Sequence, residues 1–132
     1  MVEVDWTRAH KEGRVKLPDG HHLFVKASGP ARQRPGEPAI VIEHGLGGSW
    51  EEWVAVQRLV SRTARVYSYE RAGYYRSDQP TKPPTAGNIA VDLHQMLQIA
   101  NIAPPYLLVG HSYGGVLIGQ YLADYPDEVF GK

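Results

Sequence analysis

The chain has 132 residues, enough for one domain that buries roughly two-thirds of the surface its unfolded form exposes. Apolar residues make up 42% and charged residues 21%, with Lys+Arg and Asp+Glu both at 14, so no excess charge directs it to nucleic acid or an anionic membrane. Cysteine is absent, which excludes disulfides and cysteine-held metals, and no run approaches a signal-peptide core or the ~20 apolar residues of a membrane span, leaving the cytosol as default location.

Apolar periodicity and Pro/Gly punctuation give the order of elements. Arg14 to Leu17 and His21 to Ser28 are expected as two strands around Pro18-Asp19-Gly20, in which Asp-Gly is a strong hairpin signal. Gly29 to Pro38, with three prolines and two glycines, is a surface loop. It leads into Ala39-Ile40-Val41-Ile42-Glu43, an apolar run that reads as a buried strand. Ser49 is placed to cap a helix with Trp53, Val56, Leu59 and Val60 on its inner face, and Trp50 and Trp53 are expected to pack it on the sheet.

Ala64 to Tyr69 returns to strand, and a proline-rich connection from Glu70 to Pro84 follows. Thr85 caps the next helix, whose face Ile89, Leu93, Met96, Leu97 and Ala100 repeats with a period of 3.6. Tyr106 to Val109 is a short buried strand, and Val116 to Tyr125 form a helix stopped by Pro126. After the opening hairpin, strand and helix alternate three times. That alternation predicts an α/β class with parallel strands and crossover helices, as one domain over residues 1–132.

Two loops carry chemistry. Gly110-His111-Ser112-Tyr113-Gly114 is a Gly-x-Ser-x-Gly between an apolar strand and a helix. A tight strand-to-helix turn lifts a serine hydroxyl clear of the sheet, where a base can reach it, and the flanking glycines leave room for the strained backbone beneath. The bland alternative is a glycine-rich connection with a capping serine. Gly114, Gly115 and Gly119 are expected to let the helix approach closely. The second loop, His44-Gly45-Leu46-Gly47-Gly48, also joins a strand to a helix, and suits one side of an oxyanion hole with Leu46 N–H as donor and Tyr113 N–H as the other. Alone, it reads equally as a structural turn or a phosphate cradle, although it lacks the spacing of a dinucleotide fingerprint or a P-loop lysine.

Together with Tyr69-Glu70-Arg71-Ala72-Gly73-Tyr74 and Arg76-Ser77-Asp78, these motifs resemble the α/β-hydrolase superfamily, and within it the esterase-like, lid-bearing branch. The resemblance spans about Arg14 to Val129. Two departures are Glu70, where relatives commonly have Asp, and Tyr75, where they usually have Gly. The resemblance implies Ser112 as nucleophile, with Gly110, His111, Gly114 and Gly115 supporting the elbow and His44, Gly45, Gly47 and Gly48 shaping the oxyanion loop. Serine at 112 argues against the epoxide hydrolase and haloalkane dehalogenase branches, which use aspartate there.

The same resemblance implies what is missing. The family's acid and histidine follow later strands, so the chain is expected to hold the N-terminal part of the fold without its C-terminal strands, triad acid or triad histidine. The six histidines, His10, His21, His22, His44, His94 and His111, all have simpler readings than general base. Losing the histidine of such a triad costs on the order of a million-fold in turnover, so the isolated chain is expected to be weakly active or inactive on a small ester-type substrate. The alternative is a non-catalytic remnant acting as a binding or scaffold piece. No metal or cofactor is implied. The strand Tyr106 to Val109 would have an open outer edge, which invites self-association or a partner that completes the sheet.

Overall fold

The computed structural model describes residues 4–45 and 53–130. Five strands form one sheet, β1 (Lys11–Lys16), β2 (His22–Ser28), β3 (Ala39–Glu43), β4 (Val66–Glu70) and β5 (Tyr106–Gly110), in the order β1-β2-β4-β3-β5. β1 and β2 are antiparallel, as are β2 and β4, whereas β3 lies parallel to both β4 and β5. The helices are α1 (Val54–Val60), α2 (Ala86–Ile99) and α3 (Tyr113–Asp124), followed by a 3-10 turn at Pro126–Glu128. This is the expected architecture: an opening hairpin, then parallel strands joined by crossover helices.

The hairpin turn closes through Gly20 N–H to the Leu17 carbonyl at 2.9 Å, with Gly20 at φ +99°. β1 starts three residues before its apolar signal, because Lys11, Glu12 and Gly13 pair with Ala27, Lys26 and Val25 of a strand that is itself buried. Thr85 caps α2 as expected, its hydroxyl accepting from Asn88 N–H at 3.1 Å. Ile89, Leu93, Met96 and Leu97 are then buried. With Leu23, Val25, Val41, Tyr67, Tyr69, Tyr106 and Tyr121 they fill the core between one sheet face and the α2/α3 layer. No helix among the described residues is long and apolar enough to cross a membrane.

Three expectations need correction. Val56 and Leu59 of α1 are 42% and 62% exposed, and the buried residue of that helix is Gln57. The reason lies in the sheet's second face, which presents hydroxyls there: Gln57 Nε2 donates to Ser28 Oγ at 3.1 Å, and its Oε1 accepts from Ser68 Oγ at 2.8 Å. An amide answers that polar strip where a leucine would leave it unpaired. Next, β5 is only half-buried beyond Tyr106, because it is the last strand of the sheet. Among the described residues its outer edge is bridged at Tyr106, by Val129, with Phe130 N–H donating to the Tyr106 carbonyl at 2.8 Å. Finally, α3 begins at Tyr113, three residues earlier than its apolar signal, directly against the serine turn. The expected cap Ser49 and Trp50 lie outside the described residues.

Gln57→Ala, which strands the Ser68 hydroxyl in the interior, is expected to cost about 1–3 kcal/mol in urea unfolding. Leu59→Ser on the outer face of the same helix is expected to stay within about 0.5 kcal/mol. Equal costs for the two would contradict the observed orientation of α1.

Candidate active site

The serine turn is built from the end of β5 and the start of α3. Ser112 occupies φ +58°, ψ −121°, a backbone region that L-residues seldom adopt and that costs of order 1–3 kcal/mol. Two short-range bonds close the turn: Gly114 N–H donates to the His111 carbonyl at 3.0 Å, and Gly115 N–H to the Ser112 carbonyl at 2.9 Å. A Cβ on Gly114 would lie 2.2 Å from the Glu43 carbonyl oxygen, and one on Gly110 would lie 2.7 Å from Ile118 Cδ1 and 2.9 Å from the Gly114 carbonyl carbon. These two glycines therefore admit the close approach of the turn to the end of β3. Gly115 and Gly119 do not share this role, since a Cβ on either would meet nothing within 4 Å. Ser112 itself is exposed, and its hydroxyl has no hydrogen-bond partner among the described residues.

β3 delivers His44 and Gly45 beside this turn. A Cβ on Gly45 would stand 3.4 Å from the His111 carbonyl oxygen and 3.9 Å from Ser112 Cβ, so the start of the second glycine loop touches the serine turn. Leu46, Gly47 and Gly48 lie outside the described residues. Tyr113 opens α3, half-buried, with its ring 5.6 Å from the Arg71 guanidinium carbon.

Beneath both loops lies a buried ionic cluster. Arg71 Nη1 pairs with Glu43 Oε1 at 2.9 Å and donates to the His44 carbonyl at 2.6 Å, while Nη2 donates to the Gly45 carbonyl at 2.9 Å. Tyr69 completes the carboxylate's shell, its hydroxyl donating to Glu43 Oε2 at 2.6 Å. Burial pushes the Glu43 carboxyl above its usual range, opposed by Tyr69 and the Arg71 charge. Burial works most strongly against the Arg71 cation, but Glu43, Tyr69 and Tyr74 together hold the guanidinium above its ordinary value. The sequence carried one sign of this cluster: a glutamate closing a buried apolar strand needs a partner. It could not name Tyr69 and Arg71 as that partner.

His44 is 1% exposed, packs its ring against Tyr74 at 5.2 Å, and uses Nδ1 to bond the Gly45 carbonyl at 2.9 Å. Burial pushes its pKa down to about 4, the Arg71 charge adding to the shift and the Gly45 bond opposing it. It is a neutral structural imidazole near pH 7. Other histidines are engaged elsewhere: His10 with Glu12, His21 between Asp19 and Asp92, His22 with Asp78, and His94 with Glu128 while stacked on Tyr125. His111 is exposed and forms no hydrogen bond with its neighbour Ser112. The described site thus presents a serine hydroxyl and an ordered backbone around it, with no imidazole bonded to that hydroxyl. Among the described residues no group of three His, Asp or Glu side chains is placed to hold a metal ion.

Comparison with known proteins agrees with this geometry. The family described as alpha/beta hydrolase fold matches residues 38–130. A Hormonema carpetanum protein named probable transporter efuK is 42% identical over 92% of this chain and 18% of its own length. An AB hydrolase superfamily protein of Gibberella zeae is 37% identical over 79% of the chain and 33% of its own length. The crystal structure of Cfl2 from Burkholderia cenocepacia superposes with a TM-score of 0.79 at 26% identity, covering 92% of this chain and 39% of that one. The chain spans well under half the length of each of these relatives.

Gly114→Ala is expected to cost roughly 2–3 kcal/mol, through collision with the β3 backbone, whereas Gly115→Ala gains up to ~1 kcal/mol of helix propensity in open space. Urea unfolding of the two variants checks the contrast. His44 adds a pH dependence, because its folded pKa of about 4 lies below the ordinary 6.5. Between those values the unfolded chain takes up a proton that the folded chain refuses, so this stability is whole above about pH 6.5 and is lost as pH falls toward 4. His44→Gln is expected to flatten the fall in urea midpoint below about pH 6.5; an unchanged slope would contradict the assignment.

Proposed function

The chain belongs to the alpha/beta hydrolase fold family, and on that premise we propose that Ser112 is the nucleophile of an esterase-like acyl hydrolase. The observation that carries this reading is the exposed serine held at positive φ between β5 and α3, a conformation that costs free energy. In the proposed reaction Ser112 Oγ attacks an ester-type carbonyl, and the N–H groups of Leu46 and Tyr113 receive the oxyanion. The general base takes the Ser112 proton as the Oγ–carbon bond forms and passes it to the alkoxide as the ester bond breaks; water, deprotonated by the same base, then hydrolyses the Ser112 ester, releasing the acid and restoring the hydroxyl. No metal or organic cofactor enters this scheme. A cytosolic setting is part of the same proposal.

General base and triad acid are assigned to polypeptide outside these residues, because His10, His21, His22, His44 and His94 have partners away from Ser112 and His111 forms no hydrogen bond with it. That proposal makes the isolated chain weakly active or inactive. The open edge of β5, with Leu107 exposed, is proposed as the place where a second copy or a completing polypeptide pairs. One observation favours a second reading, a non-catalytic binding piece: the Ser112 hydroxyl has no basic partner among the described residues.

Intact-mass analysis after exposure to a fluorophosphonate probe, with and without imidazole as an added base, tests the first reading. Expected is slow labelling, accelerated by imidazole and abolished in Ser112→Ala. Failure of imidazole to bring on any label would favour the binding piece, and rapid labelling without it would contradict an incomplete base. Sedimentation is expected to show concentration-dependent association that Leu107→Lys weakens; a strict monomer at all concentrations would contradict the role given to the β5 edge.

A further inference from the structure

Lys26 and Ser28 of β2 and Arg58 and Ser61 at the end of α1 line a cleft of about 210 Å³, with His10 beside them. Alternation along β2 sends Leu23, Val25 and Ala27 into the core, so Lys26 and Ser28 stand on the opposite face of the sheet, beneath α1. Gln57 joins the two walls: its amide nitrogen donates to the Lys26 carbonyl at 3.2 Å and to Ser28 Oγ at 3.1 Å. The cleft is separated from the Ser112 turn by β4 and β3, and the proposed hydrolysis makes no use of it.

Although the chain has no net charge, this lining carries two permanent cations, Lys26 and Arg58, and no carboxylate among the described residues. Glu12 stands opposite Lys26 in the β1–β2 register, and its carboxylate is bonded to His10 Nε2 at 2.9 Å. Arg14 and Arg76 are matched by Asp78 and Glu70, whereas Arg58 has no ion pair among the described residues. Ser61 spends its hydroxyl proton on the Arg58 carbonyl at 3.0 Å. Ser28 does not: its oxygen accepts from Gln57, and its proton has no acceptor among the described residues. The donors lining the cleft are therefore the Arg58 guanidinium, the Lys26 ammonium and the Ser28 hydroxyl, drawn from two walls. We propose that this cleft is an anion site for a phosphate-monoester group, the chemistry shared by inorganic phosphate and a phosphatidic acid headgroup. Its volume lies below the roughly 300–1,000 Å³ of pockets that take drug-sized ligands, which limits the occupant to a small group. A tetrahedral oxyanion offers oxygens in several directions to donors on two walls, whereas a carboxylate presents two in one plane. The arginine fork suits a pair of phosphate oxygens, and the lysine adds a point charge.

The test is a titration of the chain with inorganic phosphate followed in amide proton–nitrogen spectra, with sodium chloride at matched ionic strength as reference. Expected is saturable movement of the Lys26, Ser28, Arg58 and Ser61 signals while those of Ile89 to Leu97 in α2 stay in place. Arg58→Gln and Lys26→Gln are each expected to weaken binding about 10-fold, the worth of one charge-assisted hydrogen bond. Lys82→Gln removes the same charge from an exposed position outside the cleft and is expected to leave binding unchanged. Arg58 is exposed, so Arg58→Gln decides should Lys26→Gln fail to fold. Cosedimentation with phosphatidic acid vesicles, against phosphatidylcholine vesicles, separates the two sources. Saturable binding of free phosphate sustains the site with a soluble occupant. Binding confined to phosphatidic acid vesicles, and weakened by Arg58→Gln but not by Lys82→Gln, sustains it with a headgroup. Chloride that reproduces the shifts, equal losses in Arg58→Gln and Lys82→Gln, or no binding in either arm overturns the inference.

Discussion

Close approach between the first turn of α3 and the end of β3 governs the geometry of this molecule. A side chain on Gly114 would overlap the Glu43 carbonyl, and one on Gly110 would overlap the helix that follows. With those positions empty, the backbone can leave β5, pass through positive φ at Ser112 and enter α3 with no intervening loop. The serine is consequently carried on the junction of a strand and a helix, both anchored in the core, and its direction is set by elements that cannot drift independently. Strain of about 1–3 kcal/mol at one residue is sustained because the surrounding packing over-determines it.

The same approach creates an electrostatic requirement. β3 ends in Glu43, which the helix turn and the adjoining strands remove from water, and a bare buried carboxylate would be prohibitive. Tyr69 from β4 and Arg71 from the loop after it answer this charge. Buried ion pairs of this kind add little to stability relative to apolar residues of similar size, because desolvation offsets the Coulomb attraction. Their value lies in fixing geometry. Here the arginine holds backbone oxygens on the loop that faces Ser112, so the ionic cluster and the serine turn form one connected unit across β3, β4, β5 and α3.

Much of this was legible in the residues. The strand-to-helix serine turn was readable because glycine at 110 and 114 is a direct trace of backbone crowding, and α2 because its apolar period and its Thr85 cap agree. α1 was misread for a physical reason: periodicity reports which residues are apolar, but burial depends on the sheet face opposite, and Ser28 and Ser68 made that face polar enough to select Gln57. The half-burial of β5 depends on its place in the strand order, which is non-local. Glycines 115 and 119 illustrate a converse limit, since composition alone cannot distinguish a glycine that is crowded from one in open space. The Glu43–Tyr69–Arg71 cluster needed contacts across 26 and 28 residues of sequence, beyond the reach of any local pattern.

The proposal that Ser112 and the two neighbouring loops form one oxyanion-stabilising site is open to test by a crystal structure of the chain phosphonylated at Ser112. The phosphonyl oxygen is expected between the amides of Leu46 and Tyr113, at about 2.7–3.1 Å from each. An adduct whose oxygen points into solvent, or a probe attached to a different side chain, would contradict it.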